Sequence, residues 1–187
     1  QAGPMVLRAC TNASPEFAFA KAFDDMADYV QKNSNGRYRI DVYAGGKLGS
    51  DAAIFQAIQM GTVHFLQLSS SNAVPFFPDF GVFDMPYLFP SLEAFRSIFD
   101  GKLGEEIARK YSNDKFKICL FSEVDFRKFF TSRPIKTFDD MKGLKIRATK
   151  SKYHIAALKA LGCNATPMAF TEVFTGLQQG VVDGVDI

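Results

Sequence analysis

Two arginines stand in apolar surroundings at predicted strands. Arg127 lies in "VDFRKFF" beside Phe126 and Phe129, and Arg147 follows Ile146 in "LKIRATKS", where a strand ends. A guanidinium stays charged in a protein, and a buried charge without a partner is strongly destabilising. Each arginine therefore needs an anionic partner.

That partner could belong to the chain or to a ligand. Three carboxylates could form a structural salt bridge: Asp125, Asp183 and Asp186. A bound carboxylate is the alternative, because a planar guanidinium can hold it through two parallel hydrogen bonds. Spacing alone favours the salt bridge and leaves both interpretations open.

Residues for catalysis or metal binding are sparse. His64 and His154 have no partner at metal-ligand spacing, and the sequence contains no HExxH, CxxC or GxSxG pattern. In "GGKLGS" the lysine precedes the last glycine, so the order of a phosphate loop is wrong, and a turn before a helix capped by Ser50 explains it. We therefore predict no catalytic residue, no metal site and no cofactor.

Composition narrows the class of protein. The 187 residues are 47% hydrophobic and 22% charged, which is typical of a globular protein. The net charge of +2 gives no reason to expect nucleic acid as a partner. No apolar run reaches the ~20 residues of a spanning helix, so we expect a protein that is not itself membrane-spanning. The cysteines form no close pair, and Cys119, in "FKICLF", is predicted to lie in a buried strand.

The first part of the chain alternates strands and helices. "MVLRACT" predicts a strand, followed by a helix with Ser14 as its N-cap and Pro15 at its first helical position. The strand "RYRIDVY", the helix starting at Ser50 and the strand "TVHFLQLSSS" follow. This order predicts an open, mainly parallel α/β sheet, with ligand contacts beyond the carboxyl ends of its strands.

The later part repeats the alternation after an irregular stretch rich in Phe and Pro. Helices are expected at "SLEAFRSIFDG" and "KLGEEIARKYSN", two strands meeting near Ser122–Val124, and a strand at "LKIRATK". A helix capped by Ser151, a helix at "TPMAFTEVFTGLQQG" and a final strand at "VVDGVDI" complete it. We predict a first α/β lobe at residues 1–123 and the start of a second at 124–187, incomplete because the chain stops on an apolar strand.

Several long runs carry a resemblance to a known family. They are "GGKLGSDAAIFQAIQMGTVHF", "FPDFGVFDMPYLFPS", "FRKFFTSRPIKTFDDMKGLKIRATKS" and "ALKALGCNATPMAFTEVFTGLQQGVVDG". In order and spacing they resemble the substrate-binding receptors of tripartite ATP-independent periplasmic (TRAP) transporters. The resemblance implies a two-lobed flytrap in the periplasm that binds a small organic acid in the cleft between its lobes. It also implies delivery of that acid to TRAP membrane subunits driven by an ion gradient.

The resemblance implies roles for particular residues. Arg147 would be the main carboxylate clamp and Arg127 a second arginine at the ligand. Phe170 would pack on the ligand, although a core ring at a helix start explains it equally well. Polar ligand contacts of the first lobe would come from four residues, of which the serines could also form a simple turn: Cys10, Gln67, Ser69 and Ser70.

The sequence departs from the family pattern at four positions. Many members have Glu and Asn where Asp186 and Ile187 stand, and sialic-acid-type members have Asn at Cys10 and an acid at Gln67. We therefore expect an acid that is smaller or more apolar than sialic acid. Asp186 is assigned to orienting Arg147 from behind.

Two other functions remain as alternatives. A sensory domain could bind the same acids and signal through an attached segment. An enzyme of the same α/β class could use the arginines to hold an oxyanion, although the sequence nominates no nucleophile or base. The receptor, which is not an enzyme, is the prediction.

Overall fold

The strands of the first part form a parallel sheet, as predicted. The structure is a computed structural model that describes residues 3–123 and 125–187.

It contains two compact units, Gln1–Leu68 and Ser69–Ile187. The units do not follow the expected lobes 1–123 and 124–187, and the lobe boundary stays a prediction; Val124 lies outside the described residues.

The first unit has three parallel strands in the order β2–β1–β3. Its elements are β1 (Met5–Cys10), α1 (Ala18–Asn33), β2 (Tyr38–Tyr43), α2 (Asp51–Gln59) and β3 (Phe65–Leu66). Cys10 pairs with Tyr43 on one side and with Leu66 on the other, so the carboxyl ends of all three strands meet. The sheet thus brings the polar residues after β1 and β3 to one edge.

Of the two helix caps predicted in this unit, one is confirmed and one is wrong. Ser50 caps α2 as predicted, because its hydroxyl accepts the backbone N–H of Ala53 at 3.4 Å. The predicted cap at Ser14 is wrong, since α1 follows Phe17. The Ser14 hydroxyl donates to Glu16 at 2.8 Å and its carbonyl accepts from the Phe17 backbone N–H, which makes a turn before the helix.

The second unit has four strands in the order β4–β7–β5–β6, with β4 antiparallel to β7 and the others parallel. Its strands are β4 (Phe129–Thr131), β5 (Lys145–Ala148), β6 (Asn164–Pro167) and β7 (Gly184–Asp186). Its helices are α3 (Ser70–Ala73), α4 (Leu92–Phe99), α5 (Lys102–Tyr111), α6 (Lys152–Ala160) and α7 (Val173–Gln178), with 3₁₀ turns at Pro78–Asp84, Phe138–Met141 and Phe170–Glu172. The mixed α/β class is therefore confirmed.

The core of this unit lies between β5 and α6. Ile146 and Ala148 are fully buried and pack with Leu158 of α6. Ser151 caps α6 as predicted, by accepting the backbone N–H of His154. Because side chains alternate along a strand, Arg147 leaves β5 on the face opposite this core.

Two predicted elements in the second unit are wrong. The expected helix at 166–180 is interrupted, because Asn164–Pro167 instead pairs with β5 as β6. The expected strand around Cys119 is absent from the described residues, and Cys119 is exposed. Ring contacts hold that segment in place of strand pairing: Phe116 lies 5.7 Å from Phe77, and Phe121 lies 5.0 Å from Phe99.

The Phe- and Pro-rich stretch is a packed, irregular segment, as predicted. The 3₁₀ turn Pro78–Asp84 carries Phe80, whose ring meets that of Tyr111 edge-on at 5.0 Å. The ring of Phe83 meets that of Phe99 in α4 edge-on at 5.0 Å. Such ring pairs contribute about 0.5–1.5 kcal/mol each beyond area burial.

Gly184 in β7 allows the neighbouring strand β4 to approach closely. A Cβ at this position would lie 2.5 Å from Thr131 Cγ2 and 2.7 Å from the Phe130 carbonyl oxygen. We expect Gly184→Ala to lower the free energy of unfolding by about 1–3 kcal/mol through overpacking, measured by urea denaturation. Gly3→Ala, where no atom lies within 4 Å, is the control. Equal midpoints for the two variants would contradict this packing.

Candidate functional site

A buried carboxylate is the centre of the polar residues in the second unit. Asp186, the last residue of β7, is 6% exposed. Its Oδ1 accepts from Nη1 of Arg127 at 2.8 Å, and its Oδ2 lies 2.9 Å from Nε2 of His154. Both carboxylate oxygens are therefore engaged by side chains that come from other elements.

Arg127 is held by three hydrogen bonds. Its Nη1 also donates to the Asp186 carbonyl oxygen at 3.2 Å, and its Nη2 donates to the Ser71 hydroxyl at 2.8 Å. Ser71 in turn donates to the carboxylate of Asp84. The internal salt bridge that the sequence left open is thus present for Arg127, with Asp186 as the partner.

Arg127 nevertheless keeps donors for a further acceptor. A guanidinium has five N–H donors, and three of them are used. Among the residues that the structure describes, the Nε–H and one Nη2–H of Arg127 have no partner. The side chain is 40% exposed, so an incoming anion can reach it.

Arg147 is buried and fixed in direction. It is 2% exposed, and its Nε donates to the Met168 carbonyl oxygen at 3.2 Å. The Phe170 ring lies with its centroid 5.8 Å from the Arg147 Cζ, within cation–π range. Met168 and Phe170 follow β6 in the chain. Because β6 pairs with β5, with Thr166 opposite Arg147, both residues come to lie beside Arg147. Two of the predicted ligand residues, Arg147 and Phe170, are therefore neighbours.

The pKa of Asp186 reflects opposing effects. Burial raises the pKa of this carboxyl, whereas the hydrogen bond from His154 and the charge of Arg127 lower it. The lowering is larger, and the pKa of Asp186 lies below its ordinary value. Asp186 therefore stays a carboxylate through the neutral range and remains available to Arg127.

The expected role of Asp186 behind Arg147 stays a prediction. Arg147 pairs with Val185, so the side chains of Arg147 and Asp186 leave opposite faces of the sheet. The hydrogen bonds that Asp186 makes go to Arg127 and His154. These hydrogen bonds favour a role for Asp186 in orienting Arg127.

The predicted contacts of the first unit meet at the ends of β1 and β3. The Gln67 backbone N–H donates to the Cys10 carbonyl at 3.1 Å, and the Thr11 hydroxyl donates to Gln67 Oε1 at 2.8 Å. Cys10 is fully buried and packs with Ile54 and Val63. Burial, with the nearby charge of Asp51, raises the pKa of the Cys10 thiol to about 11. These facts favour a packing role for Cys10, and its ligand contact stays a prediction.

Ser69 and Ser70 lie at the start of α3. The Ser69 hydroxyl caps this helix by accepting the Asn72 backbone N–H at 3.3 Å, and Ser70 is its first residue. The structure therefore shows a helix start here in place of a simple turn. Ligand contact by either serine stays a prediction.

Two residues in contact with the predicted site were missed from the sequence, Ser71 and His154, as was Thr149, which contacts His154. His154 is 4% exposed, and its partner Asp186 is 32 residues away. No short sequence motif links residues so far apart. The sequence therefore offered one hint of a role for His154, its position in the first helical turn after the Ser151 cap. Among the described residues, no cluster of His, Cys, Asp or Glu could hold a metal ion, and none of the helices has the length and apolarity to cross a membrane.

The mainly parallel sheets and the two arginines fit one class of protein, the solute-binding proteins. Residues 9–186 match the family described as bacterial extracellular solute-binding protein, family 7 (DctP). The chain belongs to this family, and the resemblance found in the sequence is confirmed.

Named relatives include binding proteins for organic acids. A solute-binding protein of Verminephrobacter eiseniae is 41% identical over 87% of this chain and 49% of its own length. The 2,3-diketo-L-gulonate-binding periplasmic protein YiaO of Escherichia coli is 32% identical over 88% of this chain and 49% of its own length. The chain thus spans about half the length of these relatives.

Solved structures share the fold. The sugar acid binding protein DctPAm of Advenella mimigardefordensis, in complex with galactonate, is 30% identical with a TM-score of 0.92, over 100% of this chain and 60% of its own. A TRAP periplasmic solute-binding protein of Sulfurospirillum deleyianum with bound succinate is 27% identical with a TM-score of 0.93, over 99% of this chain and 60% of its own. The α/β fold of TRAP solute-binding proteins is therefore confirmed.

The depressed pKa of Asp186 predicts an acid-dependent stability difference. At pH 7 we expect Asp186→Asn to lower the free energy of unfolding by roughly 1–3 kcal/mol, because an amide replaces a carboxylate that accepts charge-assisted bonds. A depressed folded pKa gives stability that is present above the unfolded value of about 3.9 and is lost as pH falls through the folded value. The gap between parent and variant should therefore close below about pH 4.

Urea denaturation between neutral and acid pH measures this gap. Asp139→Asn is the matched control, because the Asp139 side chain is 82% exposed and pairs with Lys142 at the surface. That variant should differ from the parent by at most about 0.5 kcal/mol at any pH. A gap for Asp186→Asn that stays constant down to acid pH would contradict the account.

The thiols should differ in reactivity. Cys119 is exposed, whereas Cys10 and Cys163 are buried and burial raises the pKa of both. Because the thiolate is the reacting form, we expect one rapid reaction of the native protein with a thiol reagent, lost in Cys119→Ser. Rapid labelling of Cys10 would show that it faces solvent and would contradict the packing role in favour of its predicted ligand contact.

Proposed function

We propose that this protein is an extracytoplasmic receptor that binds the carboxylate of a small organic acid. The observation that carries the proposal is the guanidinium of Arg127, which is fixed by Asp186 and Ser71 yet keeps two N–H donors within the described part of the chain. Membership of a family of extracellular solute-binding proteins supports it.

Arg147 is proposed as the main carboxylate clamp. It lies near the carboxyl end of β5, and Asp186, which holds Arg127, ends the parallel neighbour β7. Ligands of open α/β sheets lie beyond such strand ends, where groups from both faces can converge. The proposal therefore has Arg147 and Arg127 reach the acid from opposite faces of one sheet, with Phe170 packing on it.

The free energy of binding requires more contacts than those of Arg147 alone. Each charge-assisted hydrogen bond contributes roughly 1.5–3 kcal/mol. Micromolar binding needs about 8 kcal/mol. We propose that Gln67, Ser69, Ser70 and burial of the acid supply the remainder. Gln67 suits this role, because the Thr11 hydroxyl occupies its Oε1 and leaves the amide N–H groups to donate.

The ligand is proposed to be smaller or more apolar than sialic acid. Relatives named for 2,3-diketo-L-gulonate and for C4-dicarboxylates, and structures with galactonate or succinate, make these acids the first to test. We propose binding without turnover, since the family to which the chain belongs is one of solute-binding proteins.

The receptor is proposed to act in the periplasm and to deliver its ligand to TRAP membrane subunits driven by an ion gradient. Named relatives are periplasmic binding proteins, which supports this location. The named solved structures are TRAP solute-binding proteins, which supports these partners.

Arg147→Lys tests the clamp, because a lysine keeps the charge and loses the two-point geometry. The full natural protein is screened by thermal shift against galactonate, glucuronate, succinate and pantoate. An acid at a hundred times its dissociation constant should stabilise the parent by about 2.7 kcal/mol. We expect Arg147→Lys to abolish that shift.

Arg39→Lys is the control, since Arg39 pairs with Asp41 on the surface of the first unit. It should respond to the acid as the parent does. An Arg147→Lys variant that responds equally well would refute the clamp, and conversion of the acid into a product would refute binding without turnover.

A further inference from the structure

A buried histidine outside the predicted site has its proton position set by the backbone. The Thr149 N–H lies 3.2 Å from His154 Nδ1. A backbone N–H can only donate, so Nδ1 accepts and the neutral ring carries its proton on Nε2. The Thr149 hydroxyl, 3.0 Å from the same nitrogen, is compatible with this tautomer because a hydroxyl can also donate.

The Nε2–H of His154 fixes the carboxylate of Asp186. It donates to Oδ2 at 2.9 Å, which leaves Oδ1 for Arg127 at 2.8 Å. The two oxygens are held by different partners, so rotation of the carboxylate would break one bond or the other. His154 thus sets the direction in which Oδ1 meets Arg127.

The direction of Oδ1 in turn sets the plane of the Arg127 guanidinium. Nη1 donates to both the carboxylate and the carbonyl of Asp186, and Nη2 donates to Ser71. A planar group held at two nitrogens has its other N–H bonds held in fixed directions. Among the described residues these are the Nε–H and the second Nη2–H, the donors that remain for a ligand.

We propose that His154 is a positioning residue for Arg127. Through Asp186 it aims the two remaining N–H donors at a second acceptor group of the bound acid, a carboxylate or hydroxyl separate from the one on Arg147. This inference rests on the proposed function, because it assigns His154 to the recognition of that second group. A diacid should therefore depend on His154 more than a monoacid of the same chain length does.

The first experiment needs no ligand. Nitrogen-15 NMR of the full natural protein reports the His154 tautomer and the exchange rate of the Arg127 Nη1–H, which donates to Asp186. We expect the Nε2–H tautomer in the parent. Arg127 exchange should be about tenfold faster in His154→Leu, the size expected for losing a hydrogen bond to a charged group. His154→Gln, whose amide N–H can reach Asp186, should restore slow exchange.

His64 provides the matched control. Its Nδ1 accepts the Arg8 backbone N–H at 3.0 Å, which fixes the same tautomer in the first unit. His64→Leu should leave Arg127 exchange unchanged. A His154 ring protonated on Nδ1 alone, or Arg127 exchange that is equal in parent, His154→Leu and His154→Gln, would overturn the proposal.

The second experiment compares succinate with butyrate by calorimetry. We expect His154→Leu to weaken succinate binding about tenfold, and butyrate binding to stay within about twofold. Equal weakening of both acids would show a merely structural role and overturn the inference. Absence of binding by the parent would count against the proposed function for these acids, whereas the NMR rates would still decide the role of His154.

Discussion

A carboxylate removed from water must be met by donors, because a buried and unpaired charge is strongly destabilising. Asp186 meets this requirement through Arg127 on one oxygen and His154 on the other. The three residues come from the segment before β4, from α6 and from β7, so one ion pair ties the ends of several elements together. Within the described part of the chain, the same contacts leave Arg127 with two N–H donors that Asp186 does not use.

This arrangement separates the two arginines by function. Arg147 is buried and anchored by a carbonyl and an aromatic ring, which restricts it to one direction. Arg127 is partly exposed and takes its direction from Asp186. Binding of an acid by groups that are already held in place requires little ordering of side chains, which is the usual route to affinity in a small site. The fold therefore contributes preorganisation as well as charge.

Local signals predicted the α/β class, the cap at Ser50 and the cap at Ser151, because each depends on neighbouring residues in the chain. The extent of β6 could not be read locally, since Asn164–Pro167 becomes a strand by pairing with β5. The exposure of Cys119 could not be predicted for a similar reason. Its segment is held by ring contacts with phenylalanines that are distant in the sequence, without strand pairing. The arginines were visible as candidates, whereas His154 was not, because its partner lies far along the sequence.

The most direct test of the account is a crystal structure of the full natural protein with a bound small organic acid. We predict one carboxylate on the guanidinium of Arg147 at about 2.7–2.9 Å, the range of charge-assisted bonds. Arg127 should contact the acid through its Nε or Nη2 while it keeps Asp186. An acid bound away from both arginines would contradict the account, as would an Arg127 that leaves Asp186 to reach it.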